Sequence, residues 1–396
     1  MAHPSAMPLK DLRVIDLTRL LPGPLCTMLL GDYGADVVKI EDLDAGDPTR
    51  FVGVPFRGGG SFFRQLNRNK RSLALNLKTE EGLEILKKLA KDADVLIEGF
   101  RPGVMTRLGL GYDNVKEINP ALVYASLSGY GQQGSYAMRA GHDINYVALT
   151  GLLDLSAEEG GDPAMPAIQV ADIAAGSLMA VNGIMFALYQ KEKTGEGSYV
   201  DISMVRGQLP WLVYAASAPV IGSRLPRSGS GHITGAYACY NIYRTADQGH
   251  MSLGALEPAF WKNFCDTVEM PQWVDRQFDL EYRLELIDQV KELFGSKTRE
   301  EWCSIFATAD SCCEPVLTVE EAASHPVGIE NDFWLENKLD DGSVEKLVGF
   351  PLLFAGQPGC LRRQAPRHGE HSQVILHELG YTDSEIAALR KKGIIK

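Results

Sequence analysis

The rhythm of the N-terminal part constrains this chain most, because short β-branched runs alternate there with helical spacings. VIDL at Val14–Leu17 is followed by a helix predicted from about Pro24 to Tyr33, and then by VVKI at Val37–Ile40. Thr79 is a good N-cap for a second helix, which carries Leu83, Leu86 and Leu89 on one face and leads into VLIE at Val95–Glu98. After Asn119-Pro120 the run LVYAS supplies a further strand, closed by the turn residues of SGYGQQG. Repeated strand–helix–strand units predict a parallel sheet with helices on its faces. Such folds often hold dinucleotides, but no GxGxxG follows the first strand. LLPGPLC stands there instead, which disfavours nicotinamide or flavin.

At 396 residues the chain is too long for one compact core. From Gly222 to Gly235 it becomes rich in Ser, Gly and Arg, as an exposed connection does. The expected fold class is therefore α/β, with a large doubly wound Rossmann-like domain and a smaller α+β domain. The predicted boundaries are 1–222 for the first part of the large domain, 223–235 for the linker and 236–327 for the small domain. Residues 328–396 return to the large domain and end in the helix EHSQVILHELG. The apolar stretch Ile173–Tyr189, interrupted by Ser177 and Asn182, is short for a bilayer span and reads as a buried helix, so no membrane crossing is expected.

A formal charge of −12 repels phosphate backbones, so nucleic acid is not an expected partner. Small anions remain compatible with a local basic pocket. The densest cluster is Arg64, Arg68, Lys70 and Arg71, whose plain alternative is a solvated loop. Seven cysteines without CxxC or paired spacing indicate neither a zinc site nor a disulfide framework and fit a reducing cytoplasm. The opening MAHPSAMPLKDL has no secretory pattern, and the closing GIIK is not a peroxisomal signal of the SKL kind.

Three residues draw attention for their chemistry. His142, in AGHDINY, follows a glycine-rich loop after a parallel strand, where α/β proteins place their sites; the alternative is a loop histidine satisfied by backbone. Asp172 stands at the entrance of the apolar helix, either as an N-cap or as an acid/base group. The helix end would favour its carboxylate, which helps a base and hinders an acid. Glu257, in GALEPAFW, reads on its own as a surface glutamate.

Taken together, these segments resemble the type III CoA-transferase (CaiB/BaiF) superfamily over essentially the whole chain. LRVIDLTRLLPGPLCTMLLGDYGADVVKIE is similar to the first βαβ unit of that superfamily, NKRSLALNLK and IEGFRPGVMTRLGLGYD to its next blocks, and GEHSQVILHELGY to its C-terminal helix. AGHDINYVALTGLL, ADIAAG and YRTADQGHMSLGALEPAFW resemble the α-methylacyl-CoA racemase branch. The resemblance implies that His142 and Asp172 are the two acid/base groups and that Glu257 orients the histidine. It also implies an interlocked homodimer and an acyl-CoA thioester as substrate. Arg101, Lys78, Leu75 and Asn76 are then the CoA contacts, with Gly141, Asp143, Asn145 and Tyr146 lining the substrate site.

The reaction so implied is interconversion of (2R)- and (2S)-2-methylacyl-CoA by 1,1-proton transfer through an enolate. The thioester itself activates the α-proton, so neither metal nor separate cofactor is required. Two alternatives stand beside it: transfer of CoA between carboxylic acids through an aspartyl-CoA intermediate at Asp172, and a non-catalytic acyl-CoA binding protein.

Overall fold

The computed structural model describes residues 7–56, 59–157, 159–217, 228–339 and 341–396. Part of the anticipated linker, 223–227, lies outside them. The chain forms two compact units, Met1–Thr150 with Ala167–Trp211 and Asp332–Lys396, and Gly151–Pro166 with Leu212–Asn331. The excursion Gly151–Pro166 differs from a reading of 1–222 as continuous. It follows Gly151, whose φ of 83° turns the chain out of the preceding helix.

In the first unit six strands form one parallel sheet: β1 Arg13–Leu17, β2 Asp36–Glu41, β3 Lys70–Ala74, β4 Val95–Glu98, β5 Val123–Ser128 and β6 Tyr199–Ser203. Their order is β3-β2-β1-β4-β5-β6. This is the doubly wound order, in which the direction of winding reverses between β1 and β4 and leaves a crevice beyond their carboxyl ends. Helix α1 (Pro22–Asp32) starts with proline, whose missing N–H costs nothing at a helix start. Helix α2 (Glu80–Lys91) is capped by the Thr79 hydroxyl, which accepts from the Gly82 amide at 3.2 Å. Its Leu86 and Leu89 are buried against the sheet in a core shared with Ile15, Val38, Leu96 and Leu376.

The basic cluster is neither a solvated loop nor a spare anion site. Arg68 pairs with Asp32 at 2.7 Å, Lys70 with Asp16 at 3.1 Å, Arg71 with Asp36 at 2.5 Å, and Arg64 with Glu345. All four are buried: Lys70 and Arg71 lie on strand β3 and meet carboxylates of β1 and β2, while Arg68, just before it, meets Asp32 of α1 and Arg64 meets Glu345. The apolar helix also departs from expectation. It opens as a π-helical turn, Ala171–Leu178, and continues as α4, Met179–Thr194. By length and composition Ala171–Thr194 could cross a membrane, yet it packs on α1, β5 and β6 with only 39% of its most apolar window buried. Phe186 and Tyr189 face outward, 74% and 68% exposed, so this is a half-covered helix and not a buried one. The final helix is not EHSQVILHELG, found at Ser372–Glu378, but Asp383–Lys391, started by a Thr382/Glu385 capping box.

The second unit has an antiparallel sheet of β7 Tyr240–Arg244, β8 His250–Gly254 and β9 Cys313–Pro315. Helices Pro258–Thr267, Arg283–Gly295 and Arg299–Phe306 surround a core rich in aromatic rings, with Trp261, Phe264, Phe294, Trp302 and Phe306 in mutual contact.

Candidate active site

The carboxyl ends of β1, β4 and β5 open into a cavity of about 350 Å³. Thr18–Leu20 enter it after β1, Gly99–Pro102 after β4, and Gly129–Tyr130 after β5. The first of these turns is fixed by charge from beneath. Asp16 accepts the Thr18 amide at 2.9 Å, Lys39 donates to the Thr18 carbonyl at 2.9 Å, and Asp47 accepts the Leu20 amide at 3.3 Å. Leu20 is thereby held at φ 67°, a conformation that side-chain-bearing residues rarely adopt. A Cβ on Gly23 would lie 2.2 Å from Thr18 Cβ, so PGP serves the close approach that glycines of a dinucleotide loop otherwise provide. The second turn rests on Glu98, which accepts the Phe100 amide at 2.8 Å and whose carboxyl burial pushes up to about 6.

His142 is the N-cap residue of α3 (Asp143–Leu149), and its backbone N–H donates to Asn145 Oδ1 at 3.0 Å. Asn145 therefore supports the histidine from behind. Tyr146 donates to the Gly141 carbonyl at 2.6 Å and meets Tyr130 edge to face at 5.0 Å. Burial, then Tyr130, Asp172 and Asp143, push its phenol up to about 12. A Cβ on Gly129 would sit 2.5 Å from the Tyr146 ring and one on Gly141 2.7 Å from it, which explains glycine at both.

Asp172 belongs to the first π-helical turn and is not its N-cap residue, which is Val170. Single π turns inside helices are frequent at functional sites. Ser177 Oγ donates to the Pro22 carbonyl at 2.7 Å, fastening this turn to the start of α1. The Asp172 carboxyl is pushed up to about 6, by burial first and by Asp143 second, while His142 pulls it down. A carboxyl with a folded value above its unfolded one weakens the fold as pH rises through that interval, because the unfolded chain releases the proton more readily. Asp172→Asn is therefore expected to raise the unfolding temperature at pH 8 and to leave it unchanged at pH 3; thermal unfolding at the two pH values checks this.

The structure thus gathers Arg101, Gly141, His142, Tyr146 and Asp172 on one cavity. Leu75, Asn76 and Lys78 line a second one of about 250 Å³, which shares Thr18, Arg19 and Phe100 with the first. Within it the Asn76 amide is spent on the Ile394 carbonyl at 2.9 Å and Leu75 is buried, which leaves Lys78 as the exposed charge of the three. Asp143 and Asn145 stand behind His142. Glu257 lies in the second unit, exposed at the start of the helix Pro258–Thr267. Arg19 and Arg139 also line the first cavity and were passed over in the sequence. Arg19 directly follows β1, the position from which doubly wound folds reach ligands, and Arg139 stands three residues before His142. Among the described residues no group of three or more His, Cys, Asp or Glu could hold a metal ion.

A parallel sheet of this order, with an acid and a histidine on the crevice at its switch point, defines an α/β enzyme-like fold for a small ligand. The family model of CoA-transferase family III matches residues 9–372, and the chain belongs to that family. It is 35% identical to the alpha-methylacyl-CoA racemase of Homo sapiens over 98% of both chains. It is 33% identical to the succinyl-CoA:glutarate CoA-transferase of Homo sapiens, covering 98% of this chain and 90% of that protein. A CAIB/BAIF family protein from Brucella suis superposes with a TM-score of 0.82 at 27% identity, covering 94% of this chain and 99% of that one.

Proposed function

We propose that this protein interconverts (2R)- and (2S)-2-methylacyl-CoA thioesters by 1,1-proton transfer. The observation that carries the reading is that His142 and Asp172 line one cavity, with the Asp172 carboxyl raised to about 6. Inversion at the carbon beside a thioester needs one group to remove a proton and an unlike one to return it on the other face. Each must act in both directions, which favours groups that titrate near the working pH. A nucleophile that forms an aspartyl-CoA intermediate needs a free carboxylate and has no use for a facing histidine. The resemblance of GHDINY and GALEP to the racemase branch, beside 35% identity to the racemase of Homo sapiens over 98% of the chain, supports the same choice.

In this reading the amide of Asp143, at the first helical position and without an intrahelical acceptor, donates to the enolate oxygen. The Asp172 amide cannot do so, being held by Asp143. Arg19, Arg101 and Lys78 receive the CoA phosphates, and CoA enters as part of the substrate, with no separate cofactor. On the family resemblance we assign to Glu257 the orienting of the His142 ring, and to the chain a homodimer, for which the outward Phe186 and Tyr189 offer apolar surface. Free thiols at all seven cysteines fit a cytoplasmic setting. Supplied with one epimer of a 2-methylacyl-CoA and no free acid, the protein should yield both epimers by chiral separation. A strict requirement for an added carboxylate that takes up CoA would establish the transferase instead.

A further inference from the structure

Beside the proton-moving pair stands a second acidic side chain that is not among the cavity-lining residues. Asp143, next in sequence to His142, turns its carboxylate to the π turn, where Oδ1 accepts the amide N–H of Asp172 at 2.9 Å. The first turn of a helix presents unpaired N–H groups and a partial positive charge, which favour an ionised carboxylate. A nucleophile profits from that; an acid that must return a proton is hindered by it. Here the amide nearest the Asp172 carboxyl is engaged by Asp143, and a second negative charge stands behind it. The titratable groups facing Asp172 from α3 are Asp143, His142 and the Tyr146 phenol. Helices α1 and α4 and strand β6, also packed on the π turn, add no charged group to this balance.

We propose that Asp143 is a positioning residue of the proton-transfer site, holding the Asp172 backbone and supplying a fixed negative charge that keeps Asp172 able to give a proton as well as take one. The inference rests on the proton-transfer reading and adds to it the group that tunes the acid. Without that charge burial alone would hold the Asp172 carboxyl up, and its acid form would be further depleted at neutral pH.

Asp143→Asn keeps an oxygen able to accept from the Asp172 amide and removes the charge, whereas Asp143→Ala removes both. With 13C in the aspartate carboxyls and the Asp172 signal assigned by its loss in Asp172→Asn, the native midpoint is expected near 6. In Asp143→Asn it should fall by roughly one pH unit, the size of a nearby like charge. The protonated fraction at pH 7 then drops about tenfold, and kcat for the direction in which Asp172 is the acid should drop with it at unchanged KM. An unchanged midpoint in Asp143→Asn would overturn the proposal, whatever the activity. A lowered midpoint in a protein that never epimerises a 2-methylacyl-CoA would leave the tuning in place and sink the proton-transfer reading instead.

Discussion

His142→Ala and Asp172→Ala are each expected to lower epimerisation at C2 by about 10²–10⁴-fold, the usual worth of a positioned acid or base. The two variants should nevertheless differ in what they retain. With the pair on opposite faces of a planar enolate, each group removes the proton of only one epimer. In Asp172→Ala the histidine still abstracts from its own epimer and, its proton exchanged with solvent, returns deuterium to the same face. In His142→Ala the carboxylate does the same to the other epimer. Exchange without inversion, seen for opposite epimers in the two variants by NMR in deuterium oxide, is thus the expected pattern. Asp172 serving as nucleophile predicts something else: loss of CoA transfer in Asp172→Ala and little effect of His142→Ala on that step. That both groups line the same cavity is the structural reason for expecting the first pattern.

The largest effect on stability is expected from Asp16→Ala. Asp16 is fully buried at 3.1 Å from Lys70, with Thr18 and Thr27 hydroxyls on its two oxygens and Lys39 nearby. Burial opposes its charge, but Lys70 and then Lys39, with the two hydroxyls, hold the carboxyl well below the usual carboxylate range. Removing it leaves the buried Lys70 ammonium without its carboxylate, while Lys39 keeps Asp47 at 2.9 Å, at a cost of about 3–5 kcal/mol, which is a large share of the 5–15 kcal/mol that typically keeps a domain folded. The sign of the pH dependence follows from the depressed folded value. The contribution is complete above the unfolded carboxyl value of about 3.9 and is lost as pH falls below it. The gap in urea midpoint between native protein and Asp16→Asn should therefore be wide at pH 7 and narrow below pH 4. Because Asp16 also holds the Thr18 amide, surviving variants should bind acyl-CoA more weakly.

Much of the sheet could be read from period and capping. VIDL, VVKI, VLIE and LVYAS all lie in or overlap β1, β2, β4 and β5, and Thr79 caps α2 as a residue of its type should. Strand β3 was hidden because KRSLA looks like a charged surface. Its lysine and arginine are buried only because carboxylates from neighbouring elements meet them, and such tertiary pairing leaves no local pattern. The Thr382/Glu385 capping box was legible as a helix start and was overlooked behind the stronger apolar run before it. In the site, the meeting of His142 with Asp172 came through family blocks and not through spacing, since thirty positions separate them. The part played by Asp143 was out of reach, because a hydrogen bond from a backbone amide of another helix has no signature in one-dimensional sequence.

The most direct test of the central claim is deuterium incorporation at C2 of a single 2-methylacyl-CoA epimer, incubated with the native protein in deuterium oxide and no free acid. The account predicts incorporation in step with formation of the opposite epimer. No incorporation, with CoA passing to an added carboxylate and an adduct trapped on Asp172, would contradict it.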